Sequence, residues 1–137
     1  MNPPTIAPPL LGKTISSGTD GFVVAEWQDP GGPIGERRLI APLHLHHRDD
    51  EVWYVLEGSL RIQVGDREVE AGAGCAVLAP QGTPHTYWNP GPGRVRYLLV
   101  MTSNIYQLIQ AIHATSDRSP AALQALFRKY DSELLGS

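Results

Sequence analysis

The sequence is short of cysteine and of long apolar runs, and each shortage excludes a class of protein. A single cysteine, Cys75, cannot form a disulfide within the chain. Because it lies in the apolar run CAVLAP, we interpret it as a small buried hydrophobic residue rather than a nucleophile. No segment approaches the roughly 18 consecutive apolar residues of a membrane-spanning helix. The first residues also lack the basic start and apolar stretch of a signal peptide, so we expect a cytoplasmic protein.

The sequence also lacks an excess of either charge. Lys and Arg total 11 and Asp and Glu total 14, which gives a net charge of −3. The two signs are mixed along the chain, and the adjacent basic pairs Arg37-Arg38 and Arg128-Lys129 form no patch. We therefore expect no binding to nucleic acid or to an anionic membrane surface.

What the sequence does contain is a series of short β-strand patterns. Residues 1–20 are rich in proline and are expected to form an extended arm. Beyond them, segments of strand-forming residues alternate with Gly and Pro turn signals over residues 21–101, which is typical of an all-β sandwich or barrel. The predicted strands are 21–28, 37–46, 51–58, 59–65, 67–72, 75–80, 85–89 and 94–101.

Residues 102–137 change to a helical pattern. Ser119-Pro120 is a typical helix start, with a hydroxyl N-cap followed by proline in the first turn. Two apolar stripes recur at helical spacing, so we expect a helical hairpin packed on the outside of the β domain. The first stripe is Ile105, Leu108, Ile109 and Ile112, and the second is Leu123, Leu126, Phe127, Tyr130 and Leu134.

Three of the five histidines fall in PLHLHHRDDEVWYVLEG, residues 42–58. Side chains alternate between the faces of a strand, so His44 and His46 point to one side and His47 to the other. Glu51 begins the next apolar strand, so its carboxylate and the two imidazoles can converge from neighbouring strands. Burial of these groups is costly unless they share a partner, and a divalent metal ion suits this ligand set.

His85 is the candidate for a further ligand, because it opens a later strand after a turn that contains two prolines. Three imidazoles and one carboxylate would leave one or two coordination positions open to water or substrate. The alternative is a set of surface residues on polar turns, an interpretation that would be preferred for a single histidine.

Two motifs in this part of the sequence resemble those of the cupin superfamily. The first is His44-x-His46-x4-Glu51-x6-Gly58, and the second is Gly74-x5-Pro80-x-Gly82-x2-His85-x3-Asn89. All nine specified positions are present. One departure is Arg38, which stands where the first motif usually opens with a glycine. The resemblance covers about residues 35–101.

The resemblance implies a fold, a cofactor and a ligand set. The fold would be an all-β double-stranded β-helix, a jelly-roll-like barrel of two antiparallel sheets over residues 21–101, followed by the C-terminal helical hairpin. One divalent transition metal ion per chain (Fe, Mn, Ni, Zn or Cu) would be bound by His44, His46, Glu51 and His85. The turn formers would be Gly58, Gly74, Pro80 and Gly82, and Asn89 would tie down a loop through its side chain.

Residues in phase with these ligands are expected to line a substrate pocket. Arg38 shares the phase and would bind a substrate carboxylate, or else it is an ordinary exposed arginine. On the strand 94–101, either Tyr97, Leu99 and Met101 or the alternate residues face inward, and the polar Arg96 favours the first set. The predicted pocket residues are Arg38, Ile40, Pro42, Trp53, Val55, Tyr87, Tyr97, Leu99 and Met101. Neither His47 nor His113 is expected to be a ligand.

Two classes of function fit such a site. In the first, the protein is a metal-dependent enzyme acting on a small organic molecule, most simply a dioxygenase-type oxidoreductase similar to quercetin dioxygenase-like cupins. Glu51 would then be the catalytic base, whereas a non-redox lyase or isomerase would use the ion as a Lewis acid. In the second class, the domain binds a small molecule or a metal without turnover.

We also expect a homodimer, because small cupins commonly pair and the proline-rich arm offers an exchangeable strand.

Overall fold

The computed structural model describes residues 3–18 and 20–136, and within them it contains ten β-strands and two α-helices. The strands are β1 (Thr14–Ser16), β2 (Phe22–Asp29), β3 (Leu39–His46), β4 (Glu51–Glu57), β5 (Ser59–Val64), β6 (Arg67–Gly72), β7 (Ala76–Ala79), β8 (His85–Trp88), β9 (Val95–Thr102) and β10 (Ser132–Leu134). The helices are α1 (Ser103–Ala114) and α2 (Pro120–Lys129).

The strands form two antiparallel sheets, with the orders β1-β2-β9-β4-β7 and β10-β3-β8-β5-β6. Every predicted strand segment forms a strand, and the two-sheet all-β fold is confirmed. The strands β1 and β10 were not predicted. Each has three residues, which is too few for an alternating pattern to be recognised.

The hydrophobic core lies between the two sheets. On β9 burial alternates strictly, and Tyr97, Leu99 and Met101 are the inward-facing set, as the sequence favoured. From the facing sheet, Leu60 and Ile62 are fully buried against them. Burying an aliphatic or aromatic side chain contributes about 1.5–3 kcal/mol, so this layer is the main source of the barrel's stability.

Tight turns shape the ends of the barrel. Gly58, Gly74 and Gly82 all have positive φ, of 76°, 85° and 76°. At Gly58 a Cβ would also collide with the carbonyl oxygen of Arg94, so only glycine fits there. The side chain of Asn89 accepts from the Gly91 amide at 2.8 Å and donates to the Gly93 carbonyl at 2.9 Å, and it thus fixes a loop as expected.

The two C-terminal helices are confirmed, but α2 is followed by a further strand. Ser119 caps α2 by accepting from the Ala122 amide. The predicted second stripe is interrupted after α2, because Asp131 takes a φ of 54° and reverses the chain. Leu134, predicted to be helical, instead lies in β10, whose backbone pairs with the free edge of β3. No helix in the described part of the chain is long and apolar enough to cross a bilayer.

The N-terminal arm is not extended throughout the described residues, because Leu11 and Gly12 have positive φ and the Lys13 amide donates to the Leu10 carbonyl at 2.8 Å in a turn. Residues 3–13 contain no strand or helix, and β1 then pairs with the edge of β2. Residues 1, 2 and 19 of the predicted arm and residue 137 of the predicted tail lie outside the described residues. The domain boundaries at residues 20 and 101 remain predictions.

The interpretation of Cys75 as a buried residue is wrong, because its side chain is exposed. It lies in the turn between β6 and β7, where its amide donates to the Gly72 carbonyl at 3.0 Å. The strand β7 that follows is at the edge of its sheet, so an apolar run there is not enclosed on all sides.

Candidate metal centre

Four polar side chains converge inside the barrel. His44 and His46 lie on β3, Glu51 begins β4, and His85 begins β8. His44 pairs directly with His85 across the sheet, while Glu51 comes from the opposite sheet. All four are buried, and their potential ligand atoms lie within 4.8 Å of one another. By contrast, His47 points outward and is half exposed.

The carboxylate of Glu51 lies between two imidazoles. Its Oε1 is 3.2 Å from His85 Nε2, and its Oε2 is 3.7 Å from His46 Nε2. Within residues 3–18 and 20–136, neither of these Nε2 atoms has a hydrogen-bond partner with acceptable geometry. Buried nitrogens without a partner are uncommon, and both face a common point.

Backbone carbonyls fix the protonation of two imidazoles. His44 Nδ1 contacts the carbonyl oxygen of Pro42, and His85 Nδ1 lies 3.0 Å from the carbonyl oxygen of Thr83. A carbonyl oxygen only accepts, so both Nδ1 atoms carry the proton and donate. In the neutral imidazoles, Nε2 therefore presents a lone pair directed at the centre.

The third imidazole is fixed from the C-terminal strand. His46 Nδ1 lies 2.7 Å from Ser132 Oγ, and this hydroxyl donates its only proton to the Tyr130 carbonyl at 3.1 Å. Ser132 must then accept from His46, which leaves a lone pair on His46 Nε2 as well. Contacts of this kind behind a metal ligand set its tautomer and ring orientation.

The electrostatics favour an ionised Glu51 beside a neutral His44. Burial, together with the neighbouring His85 and His46, lowers the pKa of His44 to about 4. Burial alone would raise the pKa of Glu51, but its contacts with His46 and His85 outweigh this and hold that pKa far below its usual range. Burial opposes protonation of His85, yet the contact with Glu51 raises its pKa above the ordinary value. The ionised Glu51 is thus stabilised by positive charge on His85, a role that a divalent ion would share.

A divalent transition metal ion fits this donor set. One proton satisfies at most two lone pairs, whereas a single ion at the common point would meet three imidazole nitrogens and a carboxylate oxygen. Imidazole and carboxylate together accept several first-row ions, so the set indicates a class of metal. The structure therefore supports a cluster of three histidines and one glutamate that can bind a metal.

A cavity of about 320 Å³ opens onto the cluster. Its walls are mostly apolar and come from both the barrel and the C-terminal helices. Of the predicted pocket residues, the cavity is lined by Ile40, Pro42, Tyr87, Tyr97 and Leu99. Additional lining residues are Trp27, Gln28, Ala41, Ile105, Leu108, Ile109, Ile112, His113 and Phe127.

Four predicted pocket residues lie elsewhere. Trp53, Val55 and Met101 are in the core, where the Trp53 ring packs edge-on against His85 with centroids 5.6 Å apart. The Arg38 guanidinium is half exposed and lies 3.2 Å from Asp29 Oδ1. Strand phase predicts which face a side chain takes but not its depth along the barrel, which explains the three core residues, whereas Arg38 precedes β3 and lies outside its alternation.

The contribution of the C-terminal segment to the site was not predicted from the sequence. Ile105, Leu108 and Phe127 are almost fully buried, and the Phe127 ring packs edge-on against His44 with centroids 5.5 Å apart. The helical stripe in the sequence indicated that this face needed a partner, but it did not indicate which surface. Nothing local marks Ser132 as the partner of His46, because the two are 86 positions apart.

Two buried tyrosines complete the polar part of the cavity. The hydroxyls of Tyr87 and Tyr97 lie 2.9 Å apart. Burial raises the pKa of Tyr97 to about 12 and raises that of Tyr87 well above its ordinary value, so both remain protonated at neutral pH.

Comparison with known proteins identifies similar families and folds. A family model described as a cupin domain matches residues 34–101, the segment that contains all four converging side chains. The chain is 32% identical over 59 residues to the uncharacterized protein MJ1618 of Methanocaldococcus jannaschii, in an alignment that covers 43% of this chain and 45% of that protein. The chain thus matches less than half of that curated relative's length.

Solved structures agree with the fold. One is an uncharacterized conserved protein with a double-stranded β-helix domain from Klebsiella pneumoniae, with 24% identity, a TM-score of 0.53 and coverage of 68% of this chain and 71% of that one. Another is a sugar phosphate isomerase from a cupin superfamily of Silicibacter pomeroyi, with 25% identity, a TM-score of 0.50 and coverage of 59% and 50%.

Proposed function

Because this chain belongs to the cupin superfamily, we propose that it is a metal-dependent enzyme that oxidises a small, largely apolar organic molecule with dioxygen. Its metal ligands would be His44, His46, Glu51 and His85. The observation that carries the proposal is the meeting of four buried acceptor groups with an apolar cavity. Such a cavity with a few convergent polar groups is the usual form of a small-molecule site.

The cavity does not favour a phosphorylated substrate. Among the described residues, no Lys or Arg lines it, and its walls are mainly aliphatic and aromatic. A phosphate group is normally bound by cationic side chains or by clustered backbone amides. For this reason we favour oxidation of an apolar molecule over the sugar phosphate chemistry named for the Silicibacter protein.

Each part of the site has a distinct task. A bound ion would supply the redox chemistry. The Nδ1 contacts of the three imidazoles hold their rings in place, so the ligand set is organised in advance. Glu51 is the proposed catalytic base, because its buried carboxylate lines the cavity. Ile109 and Ile112, on the helical wall, exclude water from the substrate.

Oxygen uptake by the metal-loaded protein tests this function. A flavonol, a catechol and a β-diketone would be supplied in turn, with Fe, Mn, Ni and Cu as the loaded ions. We expect uptake with at least one pair, lost in Glu51→Gln while metal content is retained. His47→Gln, on the outward face of the same region, is the matched control. Absence of uptake with every pair contradicts the proposal.

A non-redox isomerase or lyase is the second candidate, favoured by the name of the Silicibacter structure. It would use the same ligands, with the ion as a Lewis acid. Turnover that continues without oxygen would select it. Tight binding of a small molecule without turnover under any condition would instead select a non-catalytic binding role.

We also propose that the protein is a homodimer. A row of directly paired apolar residues crosses the outer face of the first sheet, formed by Ile15, Val24, Val100, Val52 and Leu78. Leu78, on the edge strand β7, is 52% exposed. A continuous apolar face of this kind is typical of an interface between copies.

Light scattering should give twice the chain mass, and Leu78→Lys should shift the measured mass toward that of the monomer. A monomeric wild type at micromolar concentration would contradict the dimer.

The proposed location is the cytoplasm. The exposed, free thiol of Cys75 is compatible with a reducing compartment, where unpaired cysteines persist. Fractionation of the native source with an antibody to the protein would test this, and recovery from a membrane or secreted fraction would contradict it.

A further inference from the structure

Tyr87 and Tyr97 bring two hydroxyls to one point in the cavity wall. Tyr87 lies on β8 and Tyr97 on β9, so the pair joins the two sheets across the interior. Both side chains are nearly inaccessible, at 4% and 2% exposure, and both line the cavity that reaches Glu51. Their only described hydrogen bond is to each other, at 2.9 Å.

The two tyrosine hydroxyls carry more protons than their mutual hydrogen bond engages. Two hydroxyls carry two protons, and the bond between them engages one. Trp53 adds a third donor, since its buried Nε1–H lies near the Tyr87 hydroxyl without the alignment of a full hydrogen bond. A buried donor without an acceptor destabilises the fold, so an acceptor in the cavity would remove this penalty.

The position of Trp53 beside Tyr87 favours Tyr97 as the hydroxyl that faces the ligand. The indole N–H of Trp53 approaches Tyr87 and favours an arrangement in which the Tyr87 oxygen is directed toward it. Tyr87 then donates to Tyr97, and Tyr97 keeps the free proton. The apolar walls around it give a water molecule few other partners, so an oxygen of the bound molecule is the better acceptor.

We propose that the Tyr87–Tyr97 pair is a binding site for a carbonyl, enolate or phenolate oxygen of the substrate, with Tyr97 as the donor. This inference rests on the proposed function in one respect, namely that a small organic molecule occupies the cavity beside the metal ligands. It narrows the substrate class to molecules with an oxygen acceptor a short distance from the group that faces the ion. Tyr87 is a positioning residue, because it acts through Tyr97.

Two probes with different acceptors test the site on the metal-loaded full chain. The first probe, 4-nitrocatechol, carries two adjacent oxygens that can accept a hydrogen bond. The second probe is free imidazole, which binds the metal through one nitrogen and then presents an N–H donor and no acceptor. We expect Tyr97→Phe to weaken 4-nitrocatechol about tenfold, as for loss of a hydrogen bond to a charged oxygen, and to change imidazole by less than about twofold. Tyr87→Phe should have the smaller effect on 4-nitrocatechol. Tyr54→Phe, on the outer face of the first sheet, is the matched control.

The outcomes separate this inference from the proposed reaction. Unchanged 4-nitrocatechol affinity in Tyr97→Phe, equal weakening of both probes, or a wild type that binds imidazole but not 4-nitrocatechol overturns the donor site. If the difference between probes is present but no oxygen uptake occurs with any substrate, the oxidation is contradicted and the donor site stands. Thermal unfolding of each variant shows whether an affinity change reflects a loss of fold.

Discussion

The barrel segment, residues 34–101, and the C-terminal segment, residues 102–136, build the same site in different ways. The barrel contributes all four candidate metal ligands from fixed positions on three strands. The C-terminal segment contributes the helical wall of the cavity and Ser132, which accepts from His46. The groups closest to the chemistry therefore follow a recognisable spacing in the sequence, whereas the groups that hold and enclose them do not.

The largest expected effect comes from removing a ligand in the barrel. We expect His85→Ala to lose nearly all bound divalent metal, because only three donors would remain and Glu51 Oε1 would lose its neighbour at 3.2 Å. Elemental analysis after reconstitution measures this. His47→Ala, which changes an outward-facing imidazole, is the control and should keep about one ion per chain. Full metal content in His85→Ala would contradict the ligand assignment.

The pH dependence of the metal-free protein separates the two segments next. His44 has its pKa lowered to about 4 by burial and by His85 and His46. Between about pH 4 and pH 6.5 the unfolded chain therefore binds the proton that the folded chain excludes, so the free energy of unfolding rises with pH across this window. A shift of this size corresponds to on the order of 3 kcal/mol. Denaturant unfolding at several pH values measures it.

His44→Gln should flatten that slope, because the titrating group is gone from the barrel. Ser116→Ala, in the exposed connection between α1 and α2, is the control and should leave the slope as it is. A slope that survives in His44→Gln would show that the cluster is not the source of the pH dependence.

Ser132→Ala tests whether the C-terminal segment acts on the metal through the barrel. Without the contact to His46 Nδ1, neither the orientation of the His46 ring nor the position of its proton is fixed. We therefore expect metal affinity to fall about 10–100-fold. Competition with a chromophoric chelator measures the affinity. Ser116→Ala, in the exposed connection between α1 and α2, is the control. An unchanged metal affinity would show that this segment only lines the cavity and does not act on the metal ligands.

The smallest expected effect concerns that wall. Ile112→Val removes one carbon from the cavity lining, which corresponds to about 0.8 kcal/mol and roughly two- to fourfold weaker binding of 4-nitrocatechol. Metal affinity should not change. Ile6→Val, at a position that is 88% exposed, is the control. A parallel loss of metal in Ile112→Val would contradict the separation between enclosing and ligating groups.

The sequence predicted the barrel well because its signals there are local. Alternation placed His44 and His46 on one face, and Gly and Pro marked the turns between strands. It also identified the inward set of β9, since Arg96 made the other set unfavourable. These inferences needed only neighbouring residues, and the family motifs added His85 across a longer gap.

The remaining features depend on contacts between distant residues. Leu134 fits a helical stripe, yet Asp131 reverses the chain and β10 joins the edge of β3. Cys75 sits in an apolar run, yet that run forms an edge strand with an open side. Trp53 has the phase of a pocket residue but packs behind His85, because depth along a barrel is set by the tilt of all its strands.

The proposed metal centre requires that the three Nε2 lone pairs and the Glu51 carboxylate bind one divalent ion at their common point. A crystal structure of the metal-loaded protein, with anomalous scattering recorded on both sides of the metal's absorption edge, shows where the ion lies. We predict a single strong anomalous peak within bonding distance of His44, His46, Glu51 and His85. A peak elsewhere, or none at this point after loading with each first-row ion in turn, would rule out this metal centre.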